Sequence, residues 1–354
     1  MSSPLFDGII AHRVTTPRLT ANVLERAATG GGSEAPVVFV HGNVSSSLFY
    51  QPTMLALPAG VRALAIDLRG FGDSQTLQVD AMRGVRDFSD DVASVLETLG
   101  VERAHLVGWS MGGGVVMQLM LDYPELAATV TLEAPVSPYG FGGTAGAEGR
   151  RLDADGAGTG GGGANPDFVA RLEAADTMDE RPTSPRSVYR TAYVRDPARV
   201  QHEDVWVESM LTTATGLDNY PGDSLPTDAW PGFAAGRRGV LNTMTPNYFD
   251  TSGIVELARK PPVLWIHGVE DAIVSDASYF DLNFLGQLGV IPGWPGEGVA
   301  PAQPMITQTR AVLESYRAAG GEITELIMED CGHAPHLDQA AGFDEALAAH
   351  IGAA

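Results

Sequence analysis

With 354 residues the chain is long for one minimal domain and short for two independent ones, which suits a single α/β domain carrying an insertion. Apolar residues make up 44% of it, enough for a large core, and its formal charge of −22 argues against nucleic acid or an anionic membrane as partner, because neither would gain electrostatically. The single cysteine, Cys331, rules out an intramolecular disulfide.

Met1 to Val14 has neither the basic stretch nor the apolar core of a signal peptide, and no apolar run approaches transmembrane length, so a cytoplasmic location is expected. Ile9 to Arg13 and Leu19 to Arg26 read as two edge strands turning at Pro17, followed by a flexible Gly30-Gly31-Gly32-Ser33 loop. Pro36 to Val40 is continuously apolar, as a parallel strand buried on both faces should be, and it ends in His41-Gly42-Asn43. A helix over Ser46 to Leu57 leads to a second buried strand, Arg62 to Ile66, which ends in Asp67-Leu68-Arg69-Gly70-Phe71-Gly72-Asp73-Ser74. Asp87 to Leu99 places Phe88, Val92, Val95, Leu96 and Leu99 on one helical face, and Gly100 closes it. Arg103 to Val107 and Ala128 to Leu132 are the next strands, the second ending at Glu133. Strands alternating with helices indicate a parallel sheet covered on both faces.

After Ala134 the rhythm breaks. Gly140 to Gly163 is close to low complexity. Beyond it Asn165-Pro166 and Ser184-Pro185 are helix-start signals, and Glu203 to Thr215 carries another short apolar face. Residues 136–250 therefore read as a helical cap inserted into a core of 1–135 and 251–354, packed over the C-terminal edge of the sheet, with mobile glycine-rich loops. The sheet resumes at Pro262 to Ile266, ending in His267-Gly268-Val269-Glu270-Asp271. An irregular stretch over Val290 to Gln303, a helix over Ile306 to Ala319 and a last strand over Glu322 to Met328 follow. That strand leads into Cys331-Gly332-His333-Ala334-Pro335-His336 and a terminal helix to about Ile351.

The chemistry centres on Gly108-Trp109-Ser110-Met111-Gly112 between a strand and a helix. Such a turn strains its central residue and needs neighbours without bulk, and it holds the Ser110 hydroxyl clear of the backbone at a helix N-terminus that favours developing negative charge. A serine hydroxyl needs a base, and the base needs a third group to fix its tautomer. Both must come from loops at the C-terminal ends of parallel strands. His333 and Asp271 meet that condition, in the chain order Ser110, Asp271, His333.

Together these motifs resemble the α/β-hydrolase fold superfamily, over roughly residues 20–135 and 251–354. The carriers are His41-Gly42, Asp67-x-Arg69-Gly70-x-Gly72-x-Ser74, the serine turn, His267-Gly268-x-x-Asp271 and Gly332-His333. The resemblance implies a mostly parallel eight-stranded sheet flanked by helices, with Ser110 as nucleophile, His333 as general base then acid, and Asp271 as orienting carboxylate. It also implies an oxyanion hole from the backbone N–H groups of Asn43 and Met111. Glu133 is the alternative acid, because the end of that strand is a second acid position in this fold. His41 and His267 are read as structural hydrogen-bonders and Asp67 with Arg69 as a loop-bracing pair, while His336, which competes with His333, is read as a surface or supporting histidine where the last helix begins.

The expected reaction is cleavage of a small-molecule carboxylic ester or lactone, apolar or aromatic, through an acyl-enzyme, with no cofactor and no metal. Trp109, Val136, Tyr139, Trp206 and Trp294 are the candidate substrate-binding residues. A perhydrolase or haloperoxidase-like enzyme and an acyltransferase are alternatives that use the same triad, and a ligand-binding receptor on a hydrolase fold is an alternative of another class.

Overall fold

The apolar runs expected to be central strands are buried along their whole length in the computed structural model of the chain, which describes residues 5–29 and 35–352. The expected Gly30–Ser33 loop and residues Met1 to Pro4 lie outside the described residues. Among these, eight strands build one sheet: β1 (Ile10–Thr15), β2 (Thr20–Arg26), β3 (Val37–Val40), β4 (Ala63–Ile66), β5 (Ala104–Trp109), β6 (Ala127–Glu133), β7 (Val263–Gly268) and β8 (Ile323–Met328). Their order is β1-β2-β4-β3-β5-β6-β7-β8. β1 and β2 are antiparallel additions at one edge, and the remaining pairs are parallel.

Register decides what meets at the C-terminal edge. Val40 stands opposite Gly108, Trp109 opposite Glu133, Glu133 opposite Ile266, and Gly268 opposite Met328. The loops that follow β3, β5, β6, β7 and β8 therefore leave the sheet side by side, which is where this topology gathers a site.

The flanking helices follow their apolar periods. α1 (Gln51–Ala56) continues a 3-10 turn over Ser47–Tyr50, and α2 (Arg86–Thr98) buries Phe88, Val92, Val95 and Leu96 completely. α3 (Met111–Asp122) starts directly at the serine turn and is buried as far as Met120. Asp67 and Arg69 brace the loop after β4, but not as a pair. Asp67 accepts from Ser47 N, Asn22 Nδ2 and Asp73 N, while Arg69 forks onto Asp91 at 2.6 and 2.8 Å.

Between β6 and β7 the chain leaves the sheet. Asn165 caps α4 (Pro166–Glu173) through Asp167 N, as its sequence position implies. α5 (Pro185–Val188) runs on into a π-type turn over Tyr189–Tyr193, and α6 (Glu203–Leu211) follows. This segment is less helical than expected. Its helices are flanked by two-stranded ribbons, Thr144–Ala145 with Arg150–Arg151 before α4 and Ser224–Pro226 with Phe233–Ala235 after α6. The stretch that reads as low complexity is a series of tight turns, with Gly140, Gly143, Gly156 and Gly160 at positive φ. Residues 209–218 of the segment dock on the loop after β4 through Ala214 N to Gly70 O and Val79 N to Asp218 O, and on the loop after β3 through Ser46 Oγ with Ser209 Oγ.

A second excursion follows β7 and holds α7 (Leu282–Gln287), capped by Asp281. α8 (Met305–Ala318), a single turn α9 (Pro335–Asp338) and α10 (Ala340–Gly352) complete the chain. No helix among the described residues is long and apolar enough to cross a membrane.

Candidate active site

Ser110 sits at φ 56°, ψ −119°, a conformation that L side chains rarely adopt. Its backbone is held there by its N–H on Glu133 O (2.9 Å) and by Val136 N and Gly113 N on its own carbonyl. The flanking glycines are required by space. A Cβ on Gly112 would collide with the carbonyl oxygens of Val40 and His41, and one on Gly108 with Gly112 O. The turn packs directly on the end of β3, so Ser110 and the His41-Gly42-Asn43 loop come together.

His333 and Asp271 are joined by a hydrogen bond, Nδ1 to Oδ2, of 2.8 Å, and both side chains are buried. A carboxylate only accepts, so His333 Nδ1 is the donor of this bond, and in the neutral ring Nε2 is left as the acceptor nitrogen. Asp271 is fixed in turn by Ile273 N (2.7 Å) and Val274 N (2.9 Å) on its other oxygen. The loops bearing the two residues are stitched by Glu270 N to Cys331 O (2.9 Å). Gly268 permits this approach, because a Cβ there would collide with Cys331 O. Burial pushes the Cys331 thiol up and leaves it un-ionised.

Ser110, His333, Asn43 and Val136 line one cavity of about 490 Å³. No hydrogen bond joins Ser110 Oγ to His333 in this structure; the two share the cavity wall. The backbone N–H groups of Asn43 and Met111 have no protein acceptor among the described residues, so two donors flank Ser110. His41 lies beneath, donating from Nδ1 to Gly42 O (2.8 Å) and accepting Leu68 N–H on Nε2 (3.0 Å). Burial lowers its pKa and keeps it neutral, as this double role requires.

Glu133, the alternative acid, is engaged elsewhere. It accepts His336 Nδ1 (2.6 Å) and His336 N (2.9 Å), and Tyr50 OH at 3.4 Å, all buried. His336 is thus not a surface histidine but a fully buried structural partner of Glu133. His267 is structural too, bonded to Glu325 at 3.0 Å and stacked on Trp265.

Of the candidate substrate-binding residues only Val136 lines the cavity. Trp109 is fully buried, and its indole N–H turns back to His333 O at 2.7 Å. Trp206 is buried against Phe49 and donates to Gln201 O. Trp294 donates to Ala300 O within its own loop, and Tyr139 lies against Gly149. The wall is built instead from other aromatic residues, Phe141, Phe168, Tyr193, Tyr220, Tyr279 and Phe280, together with small and aliphatic ones such as Gly158, Val188, Leu241 and Ile273.

Sequence reasoning also missed the role of Tyr193. Its hydroxyl donates toward Asn43 O (3.0 Å) and Val44 O (3.1 Å), and its own carbonyl accepts Ala334 N (2.9 Å). One residue of the β6–β7 segment thus ties the loop bearing Asn43 to the loop bearing His333. The helix-start signal at Ser184-Pro185 marks its helix, but nothing in the pattern marks the hydroxyl.

Residues 35–294 match the family model described as the alpha/beta hydrolase fold. Among curated proteins, 2-(acetamidomethylene)succinate hydrolase of Mesorhizobium japonicum is 26% identical over 77% of this chain and 82% of its own length. Other curated relatives are matched over only about a third of their length, for example 37% for a Comamonas testosteroni 2-hydroxy-6-oxononadienedioate/2-hydroxy-6-oxononatrienedioate hydrolase that is 33% identical over 29% of this chain. In structure, an esterase from Exiguobacterium antarcticum superposes with a TM-score of 0.57 at 15% identity, covering 97% of this chain and 99% of the other.

Proposed function

The chain belongs to the α/β-hydrolase fold family and is an enzyme of the ester-hydrolase class, and on that premise we propose that it cleaves small-molecule carboxylic esters or lactones through an acyl-enzyme on Ser110. Ester hydrolysis needs a nucleophile, a base with a fixed tautomer and a receptor for negative charge. The observation that carries the reading is the convergence of Ser110, Asn43 and the Asp271-bound His333 on one cavity, with the N–H groups of Asn43 and Met111 uncommitted among the described residues.

As substrate fills the cavity, His333 Nε2 takes the Ser110 proton and Oγ attacks the carbonyl carbon. Hydrogen bonds of this kind tighten in the substrate complex. The tetrahedral oxyanion is received by Asn43 N–H and Met111 N–H. Asp271 holds the imidazolium through Nδ1–H and itself stays ionised. His333 then protonates the departing alcohol, water enters, His333 takes its proton, and the second tetrahedral species collapses to the acid and free Ser110. Every step uses protein groups and water. Residues 136–250 act as the cap, closing the cavity and holding the Asn43 loop through Tyr193.

Rapid-quench mass spectrometry with a 4-nitrophenyl alkanoate tests this. The acyl mass is expected on the Ser110 peptide within the first turnover, and turnover without any acylated Ser110 would contradict it.

A further inference from the structure

We infer that the cavity selects electrically neutral, largely apolar acyl groups and rejects those carrying a carboxylate, an inference that rests on Ser110 being the nucleophile. Among the described residues no arginine or lysine lines the cavity. Among them, too, its charged and titratable lining, apart from His333 and tyrosines, is Asp281 alone. That carboxylate is buried and already accepts Asn283 N (3.1 Å) and Gln303 N (2.8 Å). A second carboxylate brought in with the substrate would find a like charge and no counter-ion.

The neutral polar groups of the wall are mostly committed to the protein. Thr159 Oγ1 donates to Gly156 O (2.7 Å), Thr191 Oγ1 to Ser187 O (2.8 Å), and Asn165 Oδ1 accepts Asp167 N (2.9 Å). Gly158 N and Thr159 N are taken by Phe233 O and Gly156 O, so the glycine-rich wall does not turn these donors on the ligand. What remains is the Asn43 amide, the Asn165 Nδ2 group and the hydroxyls of Tyr220 and Tyr279, which have no partner among the described residues. All of these are neutral and suit a neutral group, and none balances a full charge.

The arginines of α4, α5 and the turn that follows α5 are paired with carboxylates. Arg186 binds Glu203 and Asp204, Arg190 binds Glu203 and Asp179, and Arg171 binds Asp167 and Asp176. Arg181 adjoins the lining residue Pro182 but is exposed and lies off the wall. An ionised group deprived of water without a partner is strongly disfavoured, so charge rather than size sets the boundary of the substrate class.

Three esters of similar chain length isolate that variable: 4-nitrophenyl hexanoate, mono-4-nitrophenyl adipate and methyl 4-nitrophenyl adipate. The two neutral esters should react with comparable kcat/KM, and the half-ester about a hundredfold more slowly or worse. Phosphonylation of Ser110 by a hexyl and by an ω-carboxyalkyl fluorophosphonate reads the same preference without requiring turnover, and should show the same order. Thr191→Arg, at an exposed position of the wall, should narrow the gap about tenfold by supplying a counter-ion. Comparable rates for charged and neutral probes would overturn the inference, and loss of the charged rate in Arg181→Ala would name the cation responsible. Failure of both fluorophosphonates to label Ser110 would instead remove the nucleophile assignment, and the inference with it.

Discussion

Two buried carboxylate–imidazole pairs stand side by side at the C-terminal edge of the sheet. Asp271 holds His333 at 2.8 Å and Glu133 holds His336 at 2.6 Å, in both cases through Nδ1. The chemistry of the pairing is the same, yet the second ring nitrogens meet different surroundings. The His333 side chain lines the cavity beside Ser110, whereas His336 Nε2 is sealed without a partner among Phe49, Tyr50, Trp109 and Phe343. A carboxylate behind an imidazole fixes its tautomer wherever it occurs; only access of the other nitrogen to a reacting atom turns that into catalysis. Glu133 and His336 instead join the end of β6 to α9, beneath the His333 loop.

The comparison predicts opposite phenotypes, beginning with the largest. His333→Ala should lower kcat/KM for a neutral 4-nitrophenyl ester by about a thousandfold to ten-thousandfold while thermal unfolding stays near that of the parent. Asp271→Asn should approach the same loss. His336→Ala should do the reverse, costing about 3–5 kcal/mol of stability in chemical denaturation because Glu133 is left as an uncompensated buried charge, with activity per folded molecule nearly retained. A large loss of kcat in folded His336→Ala would erase the distinction between the pairs.

Two smaller effects sharpen it. Tyr193→Phe removes the hydroxyl that steadies Asn43 O and should reduce kcat about tenfold with little change in KM, since a transition-state donor is loosened and the cavity keeps its shape. Asp344, beside the sealed pair, is pushed by burial up to about 6. Its proton is bound more tightly in the folded chain than in the unfolded one, where aspartate titrates near ~4. The protein therefore loses stability from this group as pH rises from about 4 through about 6, and keeps it below that window. Asp344→Asn should raise the unfolding midpoint at pH 7 by an amount worth about 1 kcal/mol, allowing for partial exposure, and the gain should vanish near pH 4.

Much of this site was legible in residue order alone. Apolar runs ending in His41, Ser110, Glu133 and Asp271 mark strand ends, and parallel strands bring such ends to one edge whatever lies between them. Gly108 and Gly112 were readable because close backbone approach excludes a side chain. The cavity wall was not. Aromatic residues fall on both sides of it: Trp109 and Trp206 close the core behind the site, while Phe141, Phe168, Tyr220 and Phe280 share the wall with glycine and aliphatic residues, and residue type alone does not separate the two sets. The narrow apolar faces of short helices do not say whether they meet protein or substrate, and the turns of Gly140 to Gly160 look like linker until Asn242 and Thr159 are seen packed against them. Tyr193 was hidden for the same reason, since its partners are backbone atoms about 150 residues distant.

The most direct test of which pair acts is the rate at which a neutral alkyl fluorophosphonate labels Ser110 in the parent protein, His333→Ala and His336→Ala, each corrected for its folded fraction. Labelling at Ser110 should persist in His336→Ala and collapse in His333→Ala. Rapid labelling of His333→Ala together with a silent, folded His336→Ala would contradict the account.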